Sequence, residues 1–335
     1  MPYIIMPKVS IILTVYNAGK YLYSCMDTLI NQSLKDIEII IVTDCPTDGS
    51  DVIVEKYASR DSRIKVIKNG QNLHIGESRN RGLEIASGEY IAFSDHDDYR
   101  ELDMYERLYL TATKKNADLV IGTSVCDTEG EITQYPWPSN LTDNATRDFV
   151  LRDLIGQGNL DRPWPLGTNI HPNLYKREIL IQNNIKFVNT KNIVPEDRLF
   201  NIATTLASGK IIIDRGVRYY HRIIRSSEMH NRSYYEPKKR IRYWDNVYDL
   251  LKGNKVLQAY EKNFAIGVQK NFLEYLYLAL FSYRSWSRYR GLLDLMRVKP
   301  YCKWVFSFPI YSLTLMEFTR TKIFMYRYFA YMLRK

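Results

Sequence analysis

Residues 78–98 read SRNRGLEIASGEYIAFSDHDD, and this stretch decides the fold. Residues 76–86 have the apolar spacing of a helix, which a Ser-Gly pair then ends. The short apolar run 90–93 has the composition of a buried strand. The acidic motif DHDD follows at residues 95–98. The stretch therefore predicts a helix, a strand and an acidic turn at the carboxyl end of that strand.

The same alternation of strand and helix extends along the first half of the chain. Apolar runs typical of buried strands occur at residues 9–14, 37–42, 63–67, 90–93 and 119–121. Helical spacing occurs at residues 21–30, 48–57, 76–86 and 103–115. This rhythm predicts an α/β fold with a mostly parallel, doubly wound sheet. Ligands of such sheets bind beyond the carboxyl ends of the strands.

Polar residues follow three of the predicted strands at that edge. The first strand leads into TVYN at 14–17, the second into Thr43-Asp44, and the fourth into DHDD at 95–98. Ordinary loop polarity is the alternative for each cluster taken alone. Because the strand ends meet at one edge of the sheet, the three clusters together favour a binding site.

The acidic motif is the most informative of the three clusters. Its carboxylates repel one another unless a cation lies between them. Asp95 and Asp97 are two residues apart, so one fixed turn can direct both at a common point. Oxygen ligands of this kind suit Mg²⁺ or Mn²⁺, either of which we expect as the cofactor. The alternative is a solvated acidic turn that caps the following helix.

Four segments together resemble the family-2 glycosyltransferases. They are VSIILTVYN at 9–17, IEIIIVTDCPTDGS at 37–50, the stretch at 78–98 and PEDRLF at 195–200. The resemblance spans about residues 8–222. It implies a GT-A fold, a nucleotide-diphosphate sugar donor, usually a UDP-sugar, and inversion at the anomeric carbon.

The resemblance also implies roles in donor binding. Thr14 and Tyr16 match positions that hold the nucleobase, with the tyrosine ring stacked on it. Asp44 matches the acidic residue that accepts the uracil N–H. Arg79 matches the basic residue beside the nucleotide. Asp95 matches the first aspartate of the DxD motif, near the ribose.

The reacting groups follow from the same resemblance. Asp97 matches the metal-binding aspartate of the DxD motif, with Asp98 in a supporting role. Asp197 matches the catalytic base, with Glu196 as its neighbour. A positioned carboxylate can take the proton of a sugar hydroxyl as the new bond forms. The alternative for these last two acids is that they simply suit the positive end of a helix.

A polar segment follows the last predicted strand. His221 and Arg222 stand where the family has a mobile segment that closes over the diphosphate, and an ordinary surface loop is the alternative. Three departures from the family pattern are visible. Thr43 replaces a common aspartate, and Cys45-Pro46 replaces a common Gly-Ser. His96 lies inside the acidic motif, where small residues are usual.

These observations predict a metal-dependent glycosyltransferase, either a hexosyltransferase or an N-acetylhexosaminyltransferase. The acceptor would be a hydroxyl of a glycan, a polysaccharide or a lipid-linked oligosaccharide. A sugar-phosphate nucleotidyltransferase is disfavoured, since TVYNAGKYL after the first strand lacks the expected glycine- and basic-rich loop. A non-catalytic nucleotide-sugar binder is the other alternative. We expect residues 1–232 to form the catalytic domain and residues 233–335 a helical, basic and aromatic extension.

The charge of the chain concentrates near its end. The formal net charge is +10, and eleven lysines or arginines lie between residues 284 and 335, interleaved with aromatic residues. Such composition favours a helix on an anionic lipid surface. A core-packed tail with a solvated basic face is the alternative, and we expect no nucleic-acid partner. Four dispersed cysteines and the absence of a signal-peptide pattern predict a cytoplasmic protein, peripheral at the inner face of the cell membrane.

Overall fold

A computed structural model describes residues 6–134, 137, 147–156, 168–224, 237–277 and 286–305. The strands are β1 Val9–Val15, β2 Ile37–Thr43, β3 Ile64–Lys68, β4 Tyr90–Asp95, β5 Tyr99–Arg100, β6 Leu119–Thr128, β7 Glu131–Thr133, β8 Leu174–Lys176 and β9 Ile211–Arg222. The helices are α1 Tyr21–Ile30, α2 Ser50–Ala58, α3 His74–Ile85, α4 Met104–Lys115, α5 Arg147–Gly156, α6 Arg177–Gln182, α7 Glu196–Ala207, α8 Pro237–Gly253, α9 Leu257–Tyr277, α10 Trp286–Arg297 and α11 Cys302–Val305.

One sheet organises the first two thirds of the chain. Its strand order is β3-β2-β1-β4-β8-β6-β9-β5, and β7 pairs with β6. The pairs β3/β2, β2/β1, β1/β4 and β6/β9 are parallel. The predicted mostly parallel α/β sheet is therefore confirmed. The short antiparallel strands β5, β7 and β8 were not predicted, because two or three residues carry no periodic signal.

The central strands are covered on both faces. Every residue of β1 and β2 is buried, which explains their unbroken apolar runs. Successive side chains point to opposite faces of a strand. Ile12 and Ile40 therefore pack with residues of α5 and α7. Ile11 and Ile39 pack with residues of α1 and α4 on the other face.

A buried carboxylate braces the opposite edge of the sheet. The Glu38 side chain accepts hydrogen bonds from Ser10 Oγ at 2.5 Å, Ser87 N at 2.7 Å and Lys65 Nζ at 2.6 Å. Burial raises the pKa of Glu38, but these hydrogen bonds more than offset it, so the net pKa lies below the usual value. A Cβ atom on Gly88 would lie 2.5 Å from the Ser10 nitrogen, so the turn into β4 needs glycine.

The C-terminal helices share a core with the sheet domain. One cluster of buried side chains runs from β1 through α7 to α8–α11. Trp244 of α8 lies edge-on to Phe264 of α9, with ring centroids 5.5 Å apart. A Cβ atom on Gly267 would lie 2.4 Å from the carbonyl oxygen of Ile155, so α9 lies close against α5. The predicted helical extension is present and packs on the sheet domain.

This packing continues to the end of the described residues. Asp245 of α8 accepts hydrogen bonds from Lys299 Nζ at 2.6 Å and from the Tyr301 hydroxyl at 2.8 Å. Tyr301, Cys302 and Val305 are buried. In residues 286–305 the alternative of a core-packed tail therefore holds. None of the described helices is long and apolar enough to cross a membrane. The basic sequence of residues 306–335 and the predicted domain boundary near residue 232 lie outside the described part.

Candidate active site

The strand register brings the predicted polar clusters to one edge. Thr14 of β1 is the partner of Asp95 in β4, and Val15 is the partner of Thr43 in β2. The backbone N–H of Asp44 donates to the carbonyl of Val15 at 2.9 Å. Parallel strands that end in register thus place the loops after β1, β2 and β4 side by side.

Asp44 is held in a fixed orientation at this edge. Its Oδ1 accepts hydrogen bonds from Asn69 Nδ2 at 2.7 Å and from the backbone N–H of Leu73 at 2.8 Å. Within the described ranges no hydrogen bond engages Oδ2, which leaves one oxygen for a ligand donor. Thr14 is buried, whereas Tyr16 is 38% exposed at the rim. This arrangement is compatible with the nucleobase roles expected for all three residues, which stay predictions.

Arg79 lies between two sets of carboxylates at the carboxyl edge of the sheet, Asp95 in the acidic motif and Glu196 with Asp197. Its guanidinium, 2% exposed, lies 3.0 Å from Asp95 Oδ1 and 3.0 Å from Glu196 Oε1. It lies 2.5 Å from Asp197 Oδ1. Burial lowers the pKa of Arg79, but the charges of the three carboxylates raise it further, so the side chain is permanently charged. The resemblance implied a place beside the nucleotide, and the structure engages this guanidinium with three carboxylates.

Helix α3 carries Arg79, and its position is fixed by residues 187 and 188. Asn80 Nδ2 donates to the Phe187 carbonyl at 2.9 Å, and Phe187 N donates back to Asn80 Oδ1 at 2.8 Å. A Cβ atom on Gly76 would lie 2.3 Å from the Val188 carbonyl oxygen. The Arg79 guanidinium lies 5.2 Å from the centre of the Phe187 ring, a favourable cation–π contact. The helix therefore holds Arg79 rigidly between the two carboxylate groups.

Glu196 and Asp197, here called the carboxyl pair, begin helix α7. Carboxylates are favoured at this positive end of a helix. The Glu196 side chain is 9% exposed, and that of Asp197 is 21% exposed. Burial and the charge of Asp197 raise the pKa of Glu196 to about 8, although Arg79 lowers it. At neutral pH Glu196 therefore holds a proton more readily than an ordinary glutamate. Asp197, the more exposed of the two, is better placed to contact a substrate.

His171 was not predicted and completes this cluster. Its Nε2 lies 3.0 Å from Asp95 Oδ2, and its ring stacks on Tyr219 with centroids 5.2 Å apart. Burial lowers the pKa of His171, but Asp95 raises it more, so the net pKa lies above the usual value. Sequence reasoning missed it because it lies in a loop without strand or helix periodicity. Its only signal is a lone histidine shortly before a short strand.

The acidic turn, residues 95–98, contains one carboxylate that is less well paired than its neighbours, that of Asp97. Asp98 is fully buried, and it accepts from Arg222 N at 2.8 Å and contacts His221 Nδ1 at 3.3 Å. Among the described residues no salt bridge reaches Asp97, although His96 and His221 interact with it electrostatically. Burial and the charges of Asp98 and Asp95 raise the pKa of Asp97 to about 6, although His96 lowers it.

This distribution of charge fits a divalent cation at Asp97. Asp95, Asp98 and His171 also offer ligand atoms within 4.8 Å of one another. However, Asp95 is already paired with Arg79 and His171. Asp97 is half-buried and has no salt bridge among the described residues, and a cation would relieve the repulsion from Asp95 and Asp98. Of the three aspartates in the acidic turn, Asp97 is therefore the best candidate for binding a cation.

The end of β9 lies against the acidic turn. Tyr220 stacks on Tyr99 with ring centroids 4.6 Å apart. Burial lowers the pKa of His221, but Asp98 raises it to about 9. Arg222 Nη1 donates to the backbone carbonyl of Asp97 at 2.8 Å. His221 and Arg222 therefore lie at the predicted site, and most of the mobile segment expected after them lies outside the described residues.

Comparisons with known proteins agree with this site. Residues 10–182 match the sequence model described as glycosyl transferase family 2. YibD of Escherichia coli, an uncharacterised glycosyltransferase, is 34% identical over 54% of this chain and 52% of its own length. The poly(ribitol-phosphate) beta-glucosyltransferase of Bacillus spizizenii is 28% identical over 79% of this chain and 40% of its own length. The matches thus span about half or less of these curated relatives.

A solved structure shares the fold. Staphylococcus aureus TarS 1–349, determined in complex with UDP-GlcNAc, aligns with a TM-score of 0.71 at 21% identity. The alignment covers 98% of this chain and 91% of that one. It confirms the predicted GT-A fold with its helical C-terminal region. Since the family model matches just over half of the residues, the chain belongs to glycosyltransferase family 2.

Proposed function

We propose that this protein is an inverting, metal-dependent glycosyltransferase that moves a sugar from a UDP-sugar to a hydroxyl of a polysaccharide or another glycan. One observation carries the proposal. Arg79 contacts Asp95 in the acidic turn and Asp197 in the carboxyl pair. The expected donor site and the expected base therefore lie next to each other, and a direct displacement requires that proximity.

The residues divide the work of that reaction. Asp197 takes the proton of the acceptor hydroxyl as its oxygen attacks the anomeric carbon from the face opposite the leaving group. Arg79 holds Asp197 in place through their ion pair, and Glu196, whose pKa is raised to about 8, carries a proton beside it. A cation at Asp97 would supply charge stabilisation for the departing nucleoside diphosphate.

The donor is proposed to be a UDP-sugar carrying a hexose or an N-acetylhexosamine. The free oxygen of Asp44 suits the N–H of a uracil ring, and Tyr16 offers an exposed ring for stacking. TarS was solved with UDP-GlcNAc and with UDP, which supports the nucleotide. The relative that glucosylates poly(ribitol-phosphate) supports a polymer as acceptor.

A donor panel tests this function. The wild-type protein is incubated with UDP-, GDP- and dTDP-sugars in Mn²⁺ or in EDTA, and nucleoside diphosphate release is measured. We expect Mn²⁺-dependent release from one or more UDP-sugars, which Asp197→Asn abolishes. Asp294→Asn is the matched control, since that carboxylate is 70% exposed on α10. Release only from GDP- or dTDP-sugars would contradict the donor assignment.

Peripheral membrane association is the second part of the proposal, and it rests on the basic and aromatic residues of 306–335. Attraction to anionic lipid is worth about 1 kcal/mol per basic residue near the surface. The packing of α11 means that a deletion should begin after Val305, so that the core stays intact. We expect the full chain to float with phosphatidylglycerol liposomes at low salt and the shortened chain to remain unbound. Equal flotation of both chains would refute this role for the tail.

A further inference from the structure

Arg222 ends strand β9 with its guanidinium enclosed on several sides. Nη1 donates to the backbone carbonyl of Asp97 at 2.8 Å, and both terminal nitrogens lie 3.3 Å from Ser24 Oγ. The guanidinium carbon lies 5.0 Å from the Tyr21 ring centre and 4.9 Å from that of Tyr99. Helix α1, the acidic turn and β9 therefore meet at this one side chain.

These contacts use properties that belong to arginine. A planar guanidinium can lie against two aromatic rings while its terminal nitrogens donate hydrogen bonds in fixed directions. A lysine would keep the charge but offer a single flexible ammonium group. The Arg222 side chain is thus held by ring contacts and by directional hydrogen bonds, and not by its charge alone.

Arg222 also holds the neighbouring residue of the acidic turn. Its backbone N–H donates to Asp98 Oδ1 at 2.8 Å, and Asp98 is fully buried. One residue of β9 therefore fixes the Asp97 peptide through its side chain and the Asp98 carboxylate through its backbone. The Cα–Cβ bond of Asp97 leaves from that fixed peptide, so its carboxylate has a restricted direction.

We infer that Arg222 is a positioning residue that orients Asp97 for cation binding. The inference rests on the proposed metal role of Asp97. It gives Arg222 a task in the protein before any donor is bound. A diphosphate contact, by contrast, would act only once the nucleotide is present.

The direction of the change in Mn²⁺ affinity distinguishes a positioning role of Arg222 from an effect of its charge. A positive charge beside Asp97 repels a metal cation, so removing the charge alone would tighten Mn²⁺ binding. Losing the orientation of Asp97 would instead weaken Mn²⁺ binding. Partners that orient metal ligands typically change metal affinity by roughly 10–100-fold when mutated. We therefore expect weaker binding in Arg222→Met and also in Arg222→Lys, which keeps the charge.

The experiment titrates the full chain with Mn²⁺, without and with UDP, and follows free Mn²⁺ by its EPR signal. We expect Arg222→Met and Arg222→Lys to raise the Mn²⁺ dissociation constant by roughly 10-fold or more in both conditions. Ser24→Ala should act in the same direction more weakly. Arg218→Met is the matched control, since that side chain is exposed on the same strand, and it should bind as wild type.

A second readout does not depend on metal. Hydrogen–deuterium exchange of residues 95–100 in metal-free protein should accelerate in Arg222→Lys, while circular dichroism shows a folded chain. Unchanged exchange, or Mn²⁺ binding at least as tight as wild type, would overturn the inference. Normal Mn²⁺ binding with weakened UDP binding would make Arg222 a diphosphate contact and leave the proposed function standing. Wild-type protein that binds no Mn²⁺ in either condition would overturn the metal site and the inference together.

Discussion

Replacing Arg79 with methionine removes the one guanidinium between the acidic turn and the carboxyl pair. Methionine fills much of the same volume without a charge. Asp95 would keep His171 as a partner at 3.0 Å. Among the described residues, Glu196 and Asp197 would lose the ion-pair partner that they share. The change therefore leaves the Asp197 carboxylate without that counter-ion, beside a Glu196 side chain that is nearly inaccessible to water.

The expected loss of stability is large. Removing one partner of a buried ion pair costs about 3–5 kcal/mol. Because Glu196 already holds a proton at neutral pH, the loss falls mainly on Asp197, and water relieves part of it since that side chain is 21% exposed. We expect Arg79→Met to lower the free energy of unfolding by about 3–5 kcal/mol, against a total of about 5–15 kcal/mol for ordinary proteins.

The loss should depend on pH with a definite sign. The pKa of Glu196 in the folded state, about 8, is already above its unfolded value, and Arg79→Met removes the charge that lowers it. Such a group favours folding fully only below its unfolded pKa, and that contribution disappears as pH rises through the folded pKa. The gap between wild type and variant should therefore be smaller at pH 5 than at pH 8.

Urea unfolding followed by circular dichroism at both pH values measures this gap. Adding Glu196→Gln to Arg79→Met removes the acid that ionises near pH 8 and should recover part of the stability at pH 8. Arg81→Met on the same helix loses a hydrogen bond to Asn69 and should cost about 1 kcal/mol. A loss below about 1 kcal/mol for Arg79→Met, or a gap that does not change with pH, would refute the reasoning.

Four further substitutions test other parts of the site and the fold. Asp197→Asn should reduce transfer by roughly 10²–10⁴-fold and leave UDP binding near wild type by calorimetry. Asp97→Asn should abolish the Mn²⁺ dependence of UDP binding without lowering the thermal unfolding temperature. Asp98→Asn should instead lower the unfolding temperature, since this fully buried carboxylate accepts from Arg222 N and contacts His221. Glu38→Gln should cost about 1–3 kcal/mol at pH 7 in urea unfolding; because the folded pKa of Glu38 is lowered, that cost should vanish as pH falls through it.

The sequence predicted the elements that carry a long pattern. The apolar runs of β1 and β2 are buried over their whole length, so composition alone identified them. Parallel strands in register then determine where their ends lie, which is why the edge with Asp44 and Asp95 could be located. The helical pattern of residues 197–207 likewise predicted that Asp197 lies at the start of a helix.

The connections across the site could not be predicted from the sequence. Arg79 and Asp197 are 118 residues apart, and no periodic pattern relates them. His171 lies in a loop whose path depends on the packing of β8 between β4 and β6. A contact between distant loops depends on the whole sheet, so local composition carries little information about it.

The C-terminal region shows how composition can mislead. Basic and aromatic residues after 284 favoured a membrane-facing helix. The described part of that region instead buries Tyr301 and Val305 against α8 and α9. Aromatic residues supply large apolar area to a core as well as to a lipid interface. Composition cannot separate the two environments, so the membrane prediction now concerns residues 306–335.

Time-resolved proton NMR of a UDP-α-linked sugar with Mn²⁺ tests the central claim most directly. Without an acceptor, water takes its place, and the configuration of the first sugar released reports the stereochemistry. The account predicts that wild-type protein first releases the β-anomer, that EDTA stops the release, and that Asp197→Asn releases none above background. Initial release of the α-anomer, or release that persists unchanged in EDTA, would contradict an inverting, metal-dependent transfer with Asp197 as the base.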